Sequence, residues 1–241
     1  MYFLKPRSMK TYLSLCIVSL LFTACVLSDV ESDAQQIIED IENVIEQSAM
    51  YEVRFVFDWN SVDFPNDYPS SAHFSQLVGW VHEKDHSYFK EGELASSGIE
   101  QMAETGSTTT LVNELEALID QNEGLATYTG SGLSGGVGEI SIDIEVNRDF
   151  PAVSLASMLA PSPDWFVACA SVNLLDEDNE FVLEKTLVGH LYDAGTEEGN
   201  KFSYNNEETQ PQNPITRITD PPMGDGTEVK PSLCTIIFTK Q

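Results

Sequence analysis

From Tyr51 the chain alternates between residues that want to be buried and residues that tolerate water. Tyr51, Val53, Phe55, Phe57 and Trp59 are interleaved with Glu52, Arg54, Val56 and Asp58. A period of two is the spacing of a strand with one covered face, and a helix cannot turn it into a single apolar stripe. Further strand-length runs lie at 76–82, 139–146, 153–159, 165–174, 181–188 and 233–239. Pro, Gly, Asn and Asp clusters separate the later ones. Residues 93–104 and 108–121 read as helices, the second carrying Leu111, Leu115, Leu118 and Ile119 on one face. Residues 60–71 read as a long loop, 124–138 as a Gly/Ser/Thr-rich linker and 189–232 as a polar surface excursion. This pattern predicts an all-β dominated fold, an antiparallel β-sandwich of about eight strands with two short helices and long loops. With no internal repeat and no second composition regime, residues 50–241 are expected to form one domain.

The front of the chain reads as an address. Lys5, Arg7 and Lys10 precede the apolar run Thr11 to Phe22, which ends in Thr23-Ala24-Cys25. Such a run falls short of the ~20 apolar residues of a permanent membrane helix. Small residues just before a cysteine resemble a lipobox, so residues 1–24 are expected to be a lipoprotein signal peptide, with lipidation at Cys25. Phe22 stands where such signals usually carry leucine, and Met9 is an alternative start. Val26 rather than Asp follows the cysteine, which by resemblance to sorting rules directs the protein to the outer membrane, on its periplasmic or surface face. Residues 25–49 form a tether in which Ile37, Ile38, Ile41, Val44 and Ile45 recur at helical spacing.

Charge narrows the partners. The chain carries 39 Asp and Glu against 12 Lys and Arg, a net charge of −27. Loss of residues 1–24 removes three of those basic residues and no acid. A surface this negative repels nucleic acid and anionic headgroups; contact with the membrane is expected only through the N-terminal lipid. Cys169 and Cys234 remain in an oxidising compartment, where they are a candidate disulfide.

Two motifs compete for chemistry. His82-Glu83-Lys84-Asp85-His86 fits H-E-x-x-H letter for letter, which in a zinc hydrolase places two ligands and a general base on one helix face. Here Leu77 to Val81 is strand-like and Gly79 sits one turn before the motif, so a strand end and turn is the expected structure. Asp176 to Glu180 begins like a calcium loop, but Phe181 and Leu187 replace the required Gly and Glu, and it reads as a hairpin turn. His73 and His190 read as packing or hydrogen-bonding residues.

The second candidate is a pair of loops. Pro161-Ser162-Pro163-Asp164 precedes one strand, and Asp193-Ala194-Gly195-Thr196-Glu197-Glu198-Gly199 offers three more carboxylates on a backbone that glycines let bend. If the strands beginning at Trp165 and Phe181 form a hairpin, Asp164 and Asp193 emerge at one end of the sheet, where a hard cation such as Ca²⁺ could gather their oxygens. Surface acids of an acidic protein are the equal alternative from spacing alone.

The runs Pro161–Val167 and Tyr192–Gly199, together with Ala72–Gly79, His82, Leu94–Ser96 and Ala103–Ser107, resemble the spondin-domain family. These motifs occur in one order and cover the chain from Tyr51 to its end. The resemblance implies an eight-stranded sandwich akin to calcium- and lipid-binding modules of synaptotagmin type. It also implies a structural Ca²⁺ at one edge, held by Asp164, Asp193 and Glu197; family members usually carry Asp at the third position, so Glu198 is a substitute. No enzyme is implied. The expectation is an exported, lipid-anchored binding or adhesion module with an unidentified protein or glycan partner. The alternative is a zinc-dependent hydrolase using His82, Glu83 and His86.

Overall fold

The structure is a computed structural model that describes residues 34–37 and 47–241. The expected signal peptide, Cys25 and most of the tether lie outside the described residues; residues 34–37 are helical and exposed. Residues 48–241 form a compact unit of their own.

That unit runs β1 (Ser48–Asp58), β2 (His73–Phe74), β3 (Val78–His82), α1 (Ser97–Thr105), α2 (Thr109–Ile119), β4 (Gly124–Thr129), β5 (Val137–Asn147), β6 (Ala152–Ala160), β7 (Trp165–Asn173), β8 (Glu184–Val188), β9 (His190–Asp193), β10 (Thr216–Arg217) and β11 (Cys234–Lys240). One sheet has the order β5-β1-β11-β8; the other runs β10-β9-β7-β6-β3-β4, with β2 also on β6. Every pairing is antiparallel.

The alternation in β1 does what its period demands. Tyr51, Val53, Phe55 and Phe57 are buried between the sheets with Ile236, Phe238, Leu155, Val167 and Leu191. Each such side chain contributes about 1.5–3 kcal/mol on burial. β6 has no alternation, because all nine of its residues are buried. Leu155 and Leu159 join the core between the sheets, whereas Ala156, Met158 and Ala160 join a second core with Ile99, Met102, Leu111 and Leu115 of the helices. The helices therefore back one sheet, and the other sheet keeps a wet outer face.

Several local expectations are corrected. The first helix begins at Ser97 rather than Glu93, because Ser96 caps it and Leu94 bridges to Pro214 instead. The supposed linker 124–138 opens with β4, where Gly124 lies so close to the Trp80 ring that a Cβ would approach it to 2.6 Å. The excursion 189–232 contains β9 and β10. β7 pairs with β9, not with the 181–188 run, which crosses to the opposite sheet as β8.

Cys169 and Cys234 are buried free thiols, so the candidate disulfide is not formed in this structure. They sit on β7 and β11 in facing sheets. Burial, and then the Cys169 thiol, raise the pKa of Cys234 well above its ordinary value, so the two sulfurs share one neighbourhood. Burial pushes the Cys169 thiol up to about 12.

Candidate functional site

β7 starts one residue after Asp164 and β9 ends on Asp193, and the register sets Trp165 opposite Asp193. The two acidic loops therefore leave the sheet at the same edge. Ser162 shapes the first: its hydroxyl donates to the Leu159 carbonyl at 2.6 Å and accepts from the Trp165 N–H at 3.2 Å. The second is pinned beside it by the Ala194 N–H, which donates to the Asp164 carbonyl at 3.1 Å. Gly195 takes φ +75°, and a Cβ there would lie 2.2 Å from the Asn213 carbonyl.

Asp164 is fully buried. Its Oδ2 accepts from the Thr196 N–H at 2.6 Å, the Thr196 hydroxyl at 3.1 Å and the Glu197 N–H at 3.1 Å. Its Oδ1 is buried without any hydrogen-bond partner. Burial pushes this carboxyl above its ordinary range, against the pull of those donors. Asp193 accepts from the Gly195 N–H at 2.9 Å through Oδ1 and from the Trp165 indole at 3.2 Å through Oδ2. Burial and then the Asp164 charge push Asp193 up to about 6, and the Glu198 charge adds to the rise.

Glu197 is raised by burial and by Asp164, while its Oε2 accepts from the Asn206 amide at 3.1 Å. Glu198 is exposed. Glu104, at the end of α1, is raised chiefly by burial and also feels Glu197, Glu100 and Asp164. Sequence reasoning passed over Glu104 as a site residue, although it lies inside the Ala103–Ser107 run. Asp164, Asp193, Glu197 and Glu104 thus share one electrostatic neighbourhood. They do not close into a finished cage: among the described residues no three His, Cys, Asp or Glu side chains stand at metal-holding spacing.

The donor chemistry nonetheless suits a hard cation. Converging carboxylates raise one another without a counter-charge, and a buried carboxylate oxygen without a partner is a costly vacancy in hydrogen bonding. Ca²⁺ takes six to eight oxygens, including carbonyls and water, in flexible geometry. Of these oxygens only Asp164 Oδ1 has no hydrogen-bond partner; both oxygens of Asp193 accept hydrogen bonds, and Glu197 Oε2 accepts from Asn206.

The H-E-x-x-H match lacks the helix it needs. His82 ends β3, fully buried, with Nδ1 2.7 Å from the Glu83 carbonyl and Nε2 2.8 Å from the Ser154 hydroxyl. His86 lies in the following turn, with Nδ1 3.1 Å from Glu123. Both ring nitrogens of His82 are engaged by the protein, and no observation supports the zinc hydrolase. Asp176 to Glu180 closes a tight turn in which the Asp176 carboxylate accepts from the Asp178 and Glu180 N–H groups.

Residues 49–226 match the Spondin_N family, a span that contains both acidic loops. The chain belongs to the spondin N-terminal domain family. It is 34% identical over 175 residues to Spondin-2 of Homo sapiens and 33% identical to that of Rattus norvegicus, covering 71% of this chain and 53% of each relative. It is 28% identical over 177 residues to Spondin-1 of Rattus norvegicus, covering 71% of this chain and 22% of the relative. The chain thus spans about half the length of the Spondin-2 relatives it matches. The family match ends before β11, yet β11 lies between β1 and β8 in the four-stranded sheet. The spondin fold of this chain is completed by residues beyond the matched span.

Proposed function

We propose that this spondin domain is an exported binding and adhesion module, lipid-anchored through Cys25 at the outer membrane, in which a structural Ca²⁺ stiffens one edge of the sandwich. The observation that carries the calcium reading is Asp164, buried, with one carboxylate oxygen anchored by three donors and the other without a partner. Asp164 and Asp193 would hold the ion, with Glu197 as third side chain, or Glu198 or Glu104 in its place. The ion would supply positive charge where burial now opposes two carboxylates. It would also tie the 161–164 turn to the 194–199 loop. The role is structural and not enzymatic, and the partner is a protein or glycan rather than nucleic acid.

Calorimetry with calcium and thermal melting with calcium or EDTA test this reading. A ligand that binds only the folded state stabilises it by RT ln(1 + [L]/Kd), so calcium should raise Tm. Unchanged melting together with no heat of binding would remove the cation from the function. Mass spectrometry of the membrane fraction tests the anchor, expecting an acylated Cys25; a soluble protein with an unmodified N-terminus would contradict it.

A further inference from the structure

β5 ends the four-stranded sheet and pairs only with β1. Its 11 residues run in unbroken register, from Val137 opposite Asp58 to Asn147 opposite Ser48. The other strands that end a sheet, β8, β4 and β10, have 5, 6 and 2 residues. In an antiparallel ladder alternate residues turn both N–H and C=O towards the neighbour, and those between turn both away. Tyr128 of β4 shows which are which in β5. Its hydroxyl accepts from the Glu145 N–H at 2.9 Å and donates to the Glu145 carbonyl at 3.4 Å, so Glu145 points away from β1. The same parity turns the backbone of Glu139, Ser141 and Asp143 outward. All three residues are exposed, and among the described residues nothing hydrogen-bonds to these N–H and C=O groups. A long straight edge of this kind is a template for a further strand.

The side chains of β5 decide what such a strand must carry. Glu139, Ser141, Asp143 and Glu145 line the wet outer face. Arg54 on β1 reaches Glu139 at 3.1 Å and Glu52 at 3.9 Å, so its charge is already divided between two acids. On the inner face Ile140 and Ile144 are fully buried, whereas Ile142 between them is only half-buried. Charge argues against occupants from this chain. A second β5 laid antiparallel about Ser141 would set Glu139 opposite Asp143, and like charges directly opposite destabilise a pair. Residues 26–47 carry many acids and no Lys or Arg.

We propose that β5 receives an extended basic segment of a partner protein as an added strand, its backbone bonded to Glu139, Ser141 and Asp143. In an antiparallel addition the residues opposite those three share the outer face, where Lys or Arg meets the acidic row. The residues between them are apolar and cover Ile142. Strand addition takes its affinity from the backbone and its specificity from alternate side chains, and this edge supplies both. The inference rests on reading the domain as a binding module and narrows its partner to a protein. It uses neither the calcium nor the lipid anchor.

The test is calorimetry of the purified full chain with a capped peptide of alternating Lys and Val at physiological salt, paired with amide hydrogen exchange over residues 137–147. The peptide should bind and slow exchange in that segment, alike in calcium and in EDTA. N-methylation of its Lys amides removes the donors that face β5 and should weaken binding about tenfold or more. N-methylation of its Val amides, which face away, should leave binding nearly unchanged. Ser141→Pro deletes an outward N–H and spares the β1 ladder, so it too should weaken binding about tenfold. Asp143→Lys with Glu145→Lys, both exposed, should do the same and guards against a proline variant that fails to fold. Absent binding, unslowed exchange at 137–147, or equal binding by the two methylated peptides overturns the proposal. Undiminished binding in the lysine variant does so as well. Protection of 137–147 that grows with protein concentration alone would overturn it by assigning the edge to a second copy. Binding that protects some other segment would sink this edge and leave the binding-module reading standing.

Discussion

Trp165 and Asp193 face each other across β7 and β9, and the Trp165 indole donates to Asp193 Oδ2 at 3.2 Å. A large apolar ring therefore fixes the rotamer of an acid at the rim. Its own position is set in turn by Phe202, whose ring lies 5.8 Å away edge to face. One strand pairing brings Asp164, one residue before Trp165, to the same edge as Asp193.

Asp164 should separate fold from cation when it is substituted in two ways. Asp164→Ala strands three donors, the Thr196 N–H and hydroxyl and the Glu197 N–H, each loss costing about 1–3 kcal/mol, so a drop of about 3 kcal/mol or more is expected in urea unfolding. Asp164→Asn keeps an accepting oxygen but removes the charge that adds to burial in pushing Asp193 up. In EDTA it should unfold close to wild type and show a lower Asp193 pKa by NMR. In calcium its Tm should rise much less than that of wild type, because an amide oxygen is a weaker ligand than a carboxylate. An Asn variant that gains as much stability from calcium as wild type would exclude the Asp164 carboxylate from the site.

The pH dependence of calcium binding follows from Asp193. Without the ion its pKa is about 6, above its ordinary 3.8. The folded state then holds an extra proton between those values, so this group favours folding at low pH and loses that contribution as pH rises through about 6. Calcium reverses the preference, because only the carboxylate binds it. Below pH 6 binding should release one proton and weaken about tenfold per pH unit. Calorimetry in buffers of different ionisation enthalpy measures that proton; affinity unchanged from pH 7 to 5 would exclude Asp193.

Much of this rim was legible in the chain, though for partly mistaken reasons. The alternation of β1 and the apolar starts of β7 and β11 announce themselves because their periodicity reflects burial. β9 and β10 do not: they are short, edge-ward and embedded in polar sequence, so the sequence offers 181–188 as the partner of β7. Asp193 still lies at the end of the sheet beside Asp164 because β9 itself pairs with β7 and ends on that acid. Glu104 shows the opposite failure. It sits on a helix sixty residues before Asp164, and only the packing of α1 on β6 brings it near. No spacing rule within one segment carries that information.

His82 should make the domain acid-sensitive by a route separate from the carboxylates. Burial lowers its pKa from 6.5 to about 4 despite the Glu83 carbonyl. The unfolded chain therefore takes up a proton first, so stability is complete above pH 6.5 and is lost as pH falls toward 4. At ~1.4 kcal/mol per pH unit the loss is at most ~3.5 kcal/mol. Asp193 acts in the opposite sense over part of this window, so the measurement belongs in saturating calcium. Urea midpoints should fall from pH 7 to 5 in wild type and fall less in His82→Gln. Equal slopes would mean that another group controls the acid limb.

Gly98 should tolerate no side chain, although it occupies a helix. Replacing Gly by Ala in a helix ordinarily gains up to ~1 kcal/mol. Here a Cβ would stand 2.6 Å from the Leu111 Cα and 2.4 Å from the Glu114 carboxylate. That carboxylate accepts from the Gly98 N–H at 2.8 Å and the Ser96 hydroxyl at 2.6 Å, serving the positive end of α1. Glu114 could swing away only by abandoning those donors, and the Leu111 backbone cannot yield without moving α2. Overpacking of this kind costs about 1–3 kcal/mol, which outweighs the propensity gain. Gly98→Ala should therefore lower the urea midpoint; a raised midpoint would show that the two helices approach less closely than 2.6 Å implies.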